Sequence, residues 1–197
     1  MTGFKLYVLT LILSILGIYR GYSQDTQLPK PFINYTDNGL IYNTVFEYKE
    51  YSFSGLMVIK KQGDDYRIML LSKLGPTIMD FSLTQTGLIW HKVPKGMESA
   101  VIKNVMEHDF SLILLKDLEN PKRIRKTKKG YKVKANHKIR VKTDNIDRII
   151  EVRTQQTLAL LKTKAVFFYT DDDELPDEIC VSHRYVKMRM EMQLLKN

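Results

Sequence analysis

The sequence predicts a mainly β fold of the α+β class: an antiparallel meander of strands interrupted once by a short helical insertion. Runs rich in β-branched and aromatic residues, separated by turn signals at Gly63-Asp64, Gly75-Pro76 and Gly87, predict the meander. A single stretch in which apolar residues recur at helical spacing predicts the insertion. With 197 residues, 44% of them hydrophobic, the chain is long enough for one domain with a real core.

The first residues, "MTGFKLYVLTLILSILGIYRGYSQ", set Lys5 before an apolar run from Leu6 to Ile18, with small residues at Gly21 and Ser23 where a signal peptidase would inspect them. Residues 1–23 are therefore expected to be a signal peptide cleaved near Ser23/Gln24, and the mature protein is expected to be exported. A retained anchor is the competing reading, and the run is shorter than the ~20 residues of a spanning helix. A lipoprotein needs a cysteine directly after the cleavage point, and Cys180 stands alone in this chain, so the protein is not expected to be acylated itself. Cys180 lies between apolar neighbours in "EICVSH" and is expected to be a buried, inert thiol.

Residues 24–38 form a polar lead with Pro29 and Pro31, and residues 39–197 a single domain. "LIYNTVFEY" (Leu40 to Tyr48) and "YSFSGLMVIKK" (Tyr51 to Lys61) open the meander. In "KGMESAVIKNVMEHDFSLILL", Met97, Val101, Val105 and Met106 fall at helical spacing, and Asp109 is placed to cap a second short helix through Leu115. "YKVKANHKIRVK" then alternates throughout, with Lys132, Lys134, Lys138, Arg140 and Lys142 on one face and Val133, Ala135, Ile139 and Val141 on the other. "NIDRIIEVR", "TLALLK", "AVFFYT" and "EICVSH" follow as strands. "RYVKMRMEMQLL" closes the chain with Val186, Met188, Met190 and Met192 on a single face.

The motifs of known chemistries are missing. His91, His108, His137 and His183 have no second histidine or cysteine at ligand spacing, so no metal site and no cofactor is expected. "TDDDELPDE" lacks the alternating aspartates and central glycine of a calcium loop and reads as a solvated turn. No phosphate-binding glycine loop or nucleophile elbow occurs, and the chain is expected not to be an enzyme.

Lys and Arg outnumber Asp and Glu by 31 to 22, which calls for anionic neighbours. The basic segment from Lys122 to Lys142 carries Tyr131 as its sole aromatic residue, too few for base stacking, and an exported protein meets little nucleic acid. Its lysines and arginines are either a solvated outer face or a contact for an anionic membrane surface or an envelope protein partner.

"FSGLMVIKK", "DYRIMLLSKLGPTIMDFSL" and "MEHDFSLIL", in an exported chain that ends on a long amphipathic strand, resemble the LolA/LolB family of periplasmic lipoprotein carriers and their relatives in Gram-negative envelopes. The resemblance implies a curved antiparallel half-barrel of about eleven strands, short helices covering its concave face, and an apolar cavity for the acyl chains of lipoproteins or other lipids. Met57, Ile59, Ile68, Leu70, Ile78, Met188 and Met190 would then line the cavity, where flexible thioethers suit an irregular guest. The same residues would equally make an ordinary core. Lipoprotein transport to, or sorting at, the outer membrane is the expected function, and a cavity-less envelope interaction or assembly protein is the alternative.

Overall fold

Among the described residues, every hydrogen-bonded strand pair but one joins neighbours in the sequence, so the fold grows by hairpin addition. The structure is a computed structural model that describes residues 28–29, 39–154, 162–170 and 173–196. Strands β1 (Leu40–Tyr48), β2 (Tyr51–Gln62), β3 (Asp65–Leu71), β4 (Thr77–Thr84) and β5 (Gly87–Lys92) form the first meander. Helix α1 (Ala100–Ile113) and a 3-10 turn at Lys116–Leu118 follow. The second meander comprises β6 (Arg123–Thr127), β7 (Gly130–Lys134), β8 (Lys138–Thr143), β9 (Ile149–Thr154), β10 (Thr163–Phe168), β11 (Glu178–His183) and β12 (Met188–Leu194). The twelve strands make one antiparallel sheet in the order β5-β4-β3-β2-β1-β12-β11-β10-β9-β8-β7-β6, one strand more than expected.

The sheet must curve, because α1 touches parts of it that a flat sheet would hold apart. Phe110 meets Phe81 of β4 edge-to-face at 4.9 Å, while the preceding Asp109 bonds His183 of β11 and His108 bonds Thr154 of β9. In a flat sheet, β4 and β9 would lie seven strand spacings apart, about 34 Å, whereas a helix with its side chains is only about 10–12 Å across. The strands therefore wrap around α1, and their inward residues form one apolar cluster with it.

Alternation fixes which residues point inward. Val133, Ala135, Ile139 and Val141 are buried as expected, and Lys132, Lys134, Lys138, Arg140 and Lys142 stand exposed on the convex face. The edge strand β6, "RIRKT", is blunted by charge against pairing with another chain. Gly55 permits the close approach of β2 to β3, since a Cβ there would lie 1.9 Å from the Leu71 carbonyl oxygen.

Three expectations need correction. Ser99, not Met97, begins the helix: it caps α1 by accepting from the Ile102 N–H, and Met97 lies buried ahead of it. Asp109 starts no second helix; it is buried inside α1, where a sheet histidine supplies its partner. Cys180 is half-buried on the convex parity, between the inward Ile179 and Val181. Burial, then Glu178 at 3.1 Å, pushes its thiol up to about 12, so it stays protonated. The signal segment and most of "TLALLK" lie outside the described residues.

Candidate functional site

The concave face is a methionine-rich bed closed over by α1. Met57, Ile59, Ile68, Leu70, Met188 and Met190 all point inward and none is more than 4% exposed. Met79, Met97, Met106 and Met192 join them. Ile78 does not. Leu70 pairs with Met79 and Leu71 with Thr77, so Ile78 is the extra residue of a β-bulge; it is half-buried, and Met79 takes the inward position. Alternation could not reveal this, because Ile78 and Met79 are both apolar.

The helix supplies Ile102, Val105, Met106, Phe110, Leu112 and Ile113 to the bed. Its polar groups tie it to the rim on both sides. Toward the first meander, Glu107 accepts the Leu88 N–H at 3.1 Å and its carboxylate lies over Gly87, where a Cβ would come within 2.9 Å of it. Just beyond the helix, Lys116 donates to the Thr84 carbonyl and Tyr66 to Glu119.

Toward the second meander lies a buried polar cluster. His183 Nδ1–H donates to the Met188 carbonyl at 3.0 Å, and Nε2 faces Asp109 Oδ1 at 2.7 Å. The carbonyl can only accept, so Nδ1 carries a proton, and a second proton sits in the bond to Asp109. Burial alone would lower the His183 pKa, but the Asp109 carboxylate overrides it and holds it raised. His108, one residue before Asp109, bonds Thr154 at 3.2 Å and packs edge-on against His137 at 5.4 Å. Burial first, then the neighbouring His137 and His183, pushes its pKa down to about 4, so His108 is neutral.

Sequence reasoning missed this cluster. The histidines are far apart in the chain, and the sheet, not local spacing, brings them to the helix. The available signal was the doublet His108-Asp109 between the apolar turns of "VMEHDFSLIL".

Two openings stand out, one beside the helix and one at strand ends of the second meander. A cleft of about 810 Å³ lies between the β4–β5 turn, α1 and the β7–β8 turn, lined among others by Glu107, Lys116, Asp117, Glu119 and His137. Burial raises the Asp117 pKa and lowers that of Lys116. A groove of about 700 Å³ lies at the strand ends of β8 to β11 and is strongly cationic. Among the described residues, no group of three His, Cys, Asp or Glu could hold a metal ion.

On the convex face the strand register lines up like charges. Arg125, Lys132, Arg140, Arg153 and Lys164 are successive cross-strand partners from β6 to β10. Like charges directly opposite each other oppose pairing, by up to about 1 kcal/mol each. One row away, Glu151 answers three cations: Arg153 at 2.7 Å, Lys142 at 3.1 Å and Lys164 at 3.7 Å. Burial would raise the Glu151 pKa, but Arg153 and Lys142 hold it below the usual carboxylate range. Tyr131 is buried on the inward side, out of reach of any base on the convex face.

No family model and no curated protein matches the chain. Among solved structures, a LolA superfamily protein from Nitrosomonas europaea is similar, with a TM-score of 0.49 and 7% sequence identity over 83% of this chain and 87% of that one.

Proposed function

We propose that the protein is a non-enzymatic carrier of acyl chains, exported to the periplasm and taking part in lipoprotein transport to or sorting at the outer membrane. One observation carries the reading: a concave bed rich in methionine is covered by a single 14-residue helix whose ties to both sides of the rim are polar. A cover fixed by a few directional bonds can lift as a unit, and flexible thioethers can re-form around a guest.

Magnitudes constrain the cargo. Lifting α1 uncovers six apolar side chains, which costs about 9–18 kcal/mol at 1.5–3 kcal/mol each. Ten methylenes return about 8 kcal/mol, so a single short chain does not open the site, whereas two or three chains on one molecule do. A multiply acylated lipoprotein meets that requirement better than a free fatty acid.

The alternative is an envelope interaction protein with an ordinary core, favoured by the near-complete burial of the bed in the closed form. Lipid extraction of natively produced protein followed by mass spectrometry separates the two. The carrier should release acyl lipids and take up a diacylated fluorescent lipid; failure of both leaves the interaction protein. Intact-mass measurement of the same sample tests export, with a mature chain starting near Gln24 as the expected result.

A further inference from the structure

We infer that the cationic groove at the ends of β8, β9, β10 and β11 is a binding site for a phosphate-bearing group, independent of any acyl cavity. Among the described residues six cations line it, Lys138, Arg140, Arg153, Lys162, Lys164 and Arg184, and no carboxylate does. The fold forces them together. β8 begins at Lys138, β9 ends at Thr154, β10 begins at Thr163 and β11 ends at His183, so four strand ends meet at one rim. The register sets Arg140 opposite Arg153 and Arg153 opposite Lys164, while Arg184 N–H donates to the Lys162 carbonyl and draws the two flanking segments together.

Two acids reach the lining: Glu151 engages Arg153 at 2.7 Å and Lys164 at 3.7 Å, and Asp109 faces His183 at 2.7 Å, so the six lining cations outnumber these two acids. The arrangement opposes its own strand pairing and is relieved by an anion in the groove. Two guanidinium groups on adjacent strands, about 5 Å apart at the backbone, can grip different oxygens of one tetrahedral anion, and Ser182 offers a hydroxyl donor beside them. A phosphate group, with several oxygens and up to two charges, fits this donor set better than a carboxylate.

The groove also backs onto the helix ties. Thr154 and His183 line it, and they are the sheet-side partners of His108 and Asp109. A bound anion is therefore reported by His183, while His91, on the far edge strand β5, serves as an internal control.

The test is titration with pyrophosphate at low ionic strength, read by calorimetry and by the histidine ring resonances, together with flotation of the protein with vesicles of phosphatidylglycerol in phosphatidylcholine. Pyrophosphate is expected to bind and to shift the His183 resonance but not that of His91. The double variant Arg140→Gln/Arg184→Gln should weaken binding about ten-fold or more, because each removes a charge-assisted contact. Lys128→Gln/Lys129→Gln, the same loss of charge at the exposed β6–β7 turn, should change it less than about two-fold. If the first pair fails to fold, Lys138→Gln/Lys162→Gln takes its place. Vesicle binding lost with the groove variant identifies a lipid headgroup as the source of the phosphate, and vesicle binding unchanged identifies a soluble one. Equal losses in the groove and turn variants, or no pyrophosphate binding by the unmodified protein, overturns the site.

Discussion

Removing His183 should cost more than removing Asp109, although the two share one bond. Their side chains are 1% and 2% exposed, so neither can turn to water. In Asp109→Ala the histidine sheds its extra proton, keeps its Nδ1–H bond to Met188, and leaves only Nε2 without a partner. The loss is one charge-assisted hydrogen bond, about 1.5–3 kcal/mol. In His183→Ala a fully buried carboxyl loses its counter-charge. To become neutral at pH 7, Asp109 must take up a proton against its ordinary value of 3.8, at about 1.4 kcal/mol per pH unit, or about 4 kcal/mol in all. The sign of the pH dependence follows. A carboxyl with a raised folded pKa contributes fully below its unfolded value and loses stability as pH rises, so the variant regains about 2.7 kcal/mol between pH 7 and pH 5. In the unmodified protein His183 regains at most about 0.7 kcal/mol over the same interval, because it too is raised in the fold and its contribution is complete once pH is below 6.5, and the loss that His108 brings is common to both proteins. Urea denaturation at the two pH values should therefore show the His183→Ala penalty shrinking by about 2 kcal/mol on acidification, relative to unmodified protein. Equal penalties for the two variants, or a His183→Ala penalty that ignores pH, would refute this account of the pair.

Three further outcomes are expected. His108 is neutral in the fold with its pKa lowered from 6.5 to about 4, so stability should fall by about 3 kcal/mol as pH drops across that interval, and His108→Gln should flatten the loss in thermal melts. Gly55→Ala drives a methyl group into the Leu71 carbonyl and should cost about 3 kcal/mol or more in denaturant unfolding; a loss below about 1 kcal/mol would mean that β2 and β3 part easily. Phe110→Ala removes the ring that packs on Phe81 and should cost about 3–5 kcal/mol while increasing uptake of a diacylated fluorescent lipid, and unchanged uptake would count against α1 as a cover.

The strands were legible wherever polar and apolar residues alternate. In "YKVK", "KIRVK" and "MRMEM" each side chain has a face dictated by water, so parity can be read directly. It fails in β4, where adjacent Ile78 and Met79 are both apolar and a bulge decides between them. The helix was legible from Val101 to Met106, but the role of Asp109 was not, since a local rule offers capping while the fold offers a partner 74 residues away. The convex lysines and arginines were legible as a face; that Arg153, Lys162, Lys164 and Arg184 converge with them at one rim depends on cross-strand register, which a single sequence does not display.

The order of the strands has a consequence for how the molecule comes to be folded. All pairings within β1–β5 and within β6–β12 are between consecutive strands, whereas the central β1–β12 pair joins residues 42–48 to 188–194. Each meander can zip from its own turns at low contact order, but the seam waits for the last strand to emerge. Until then Tyr42, Thr44 and Phe46 lie along an open edge in the middle of the future sheet. That edge, rather than the charged β6, is where a half-made chain would pair with a stranger, so the slowest folding step and the greatest aggregation hazard coincide at the same seam.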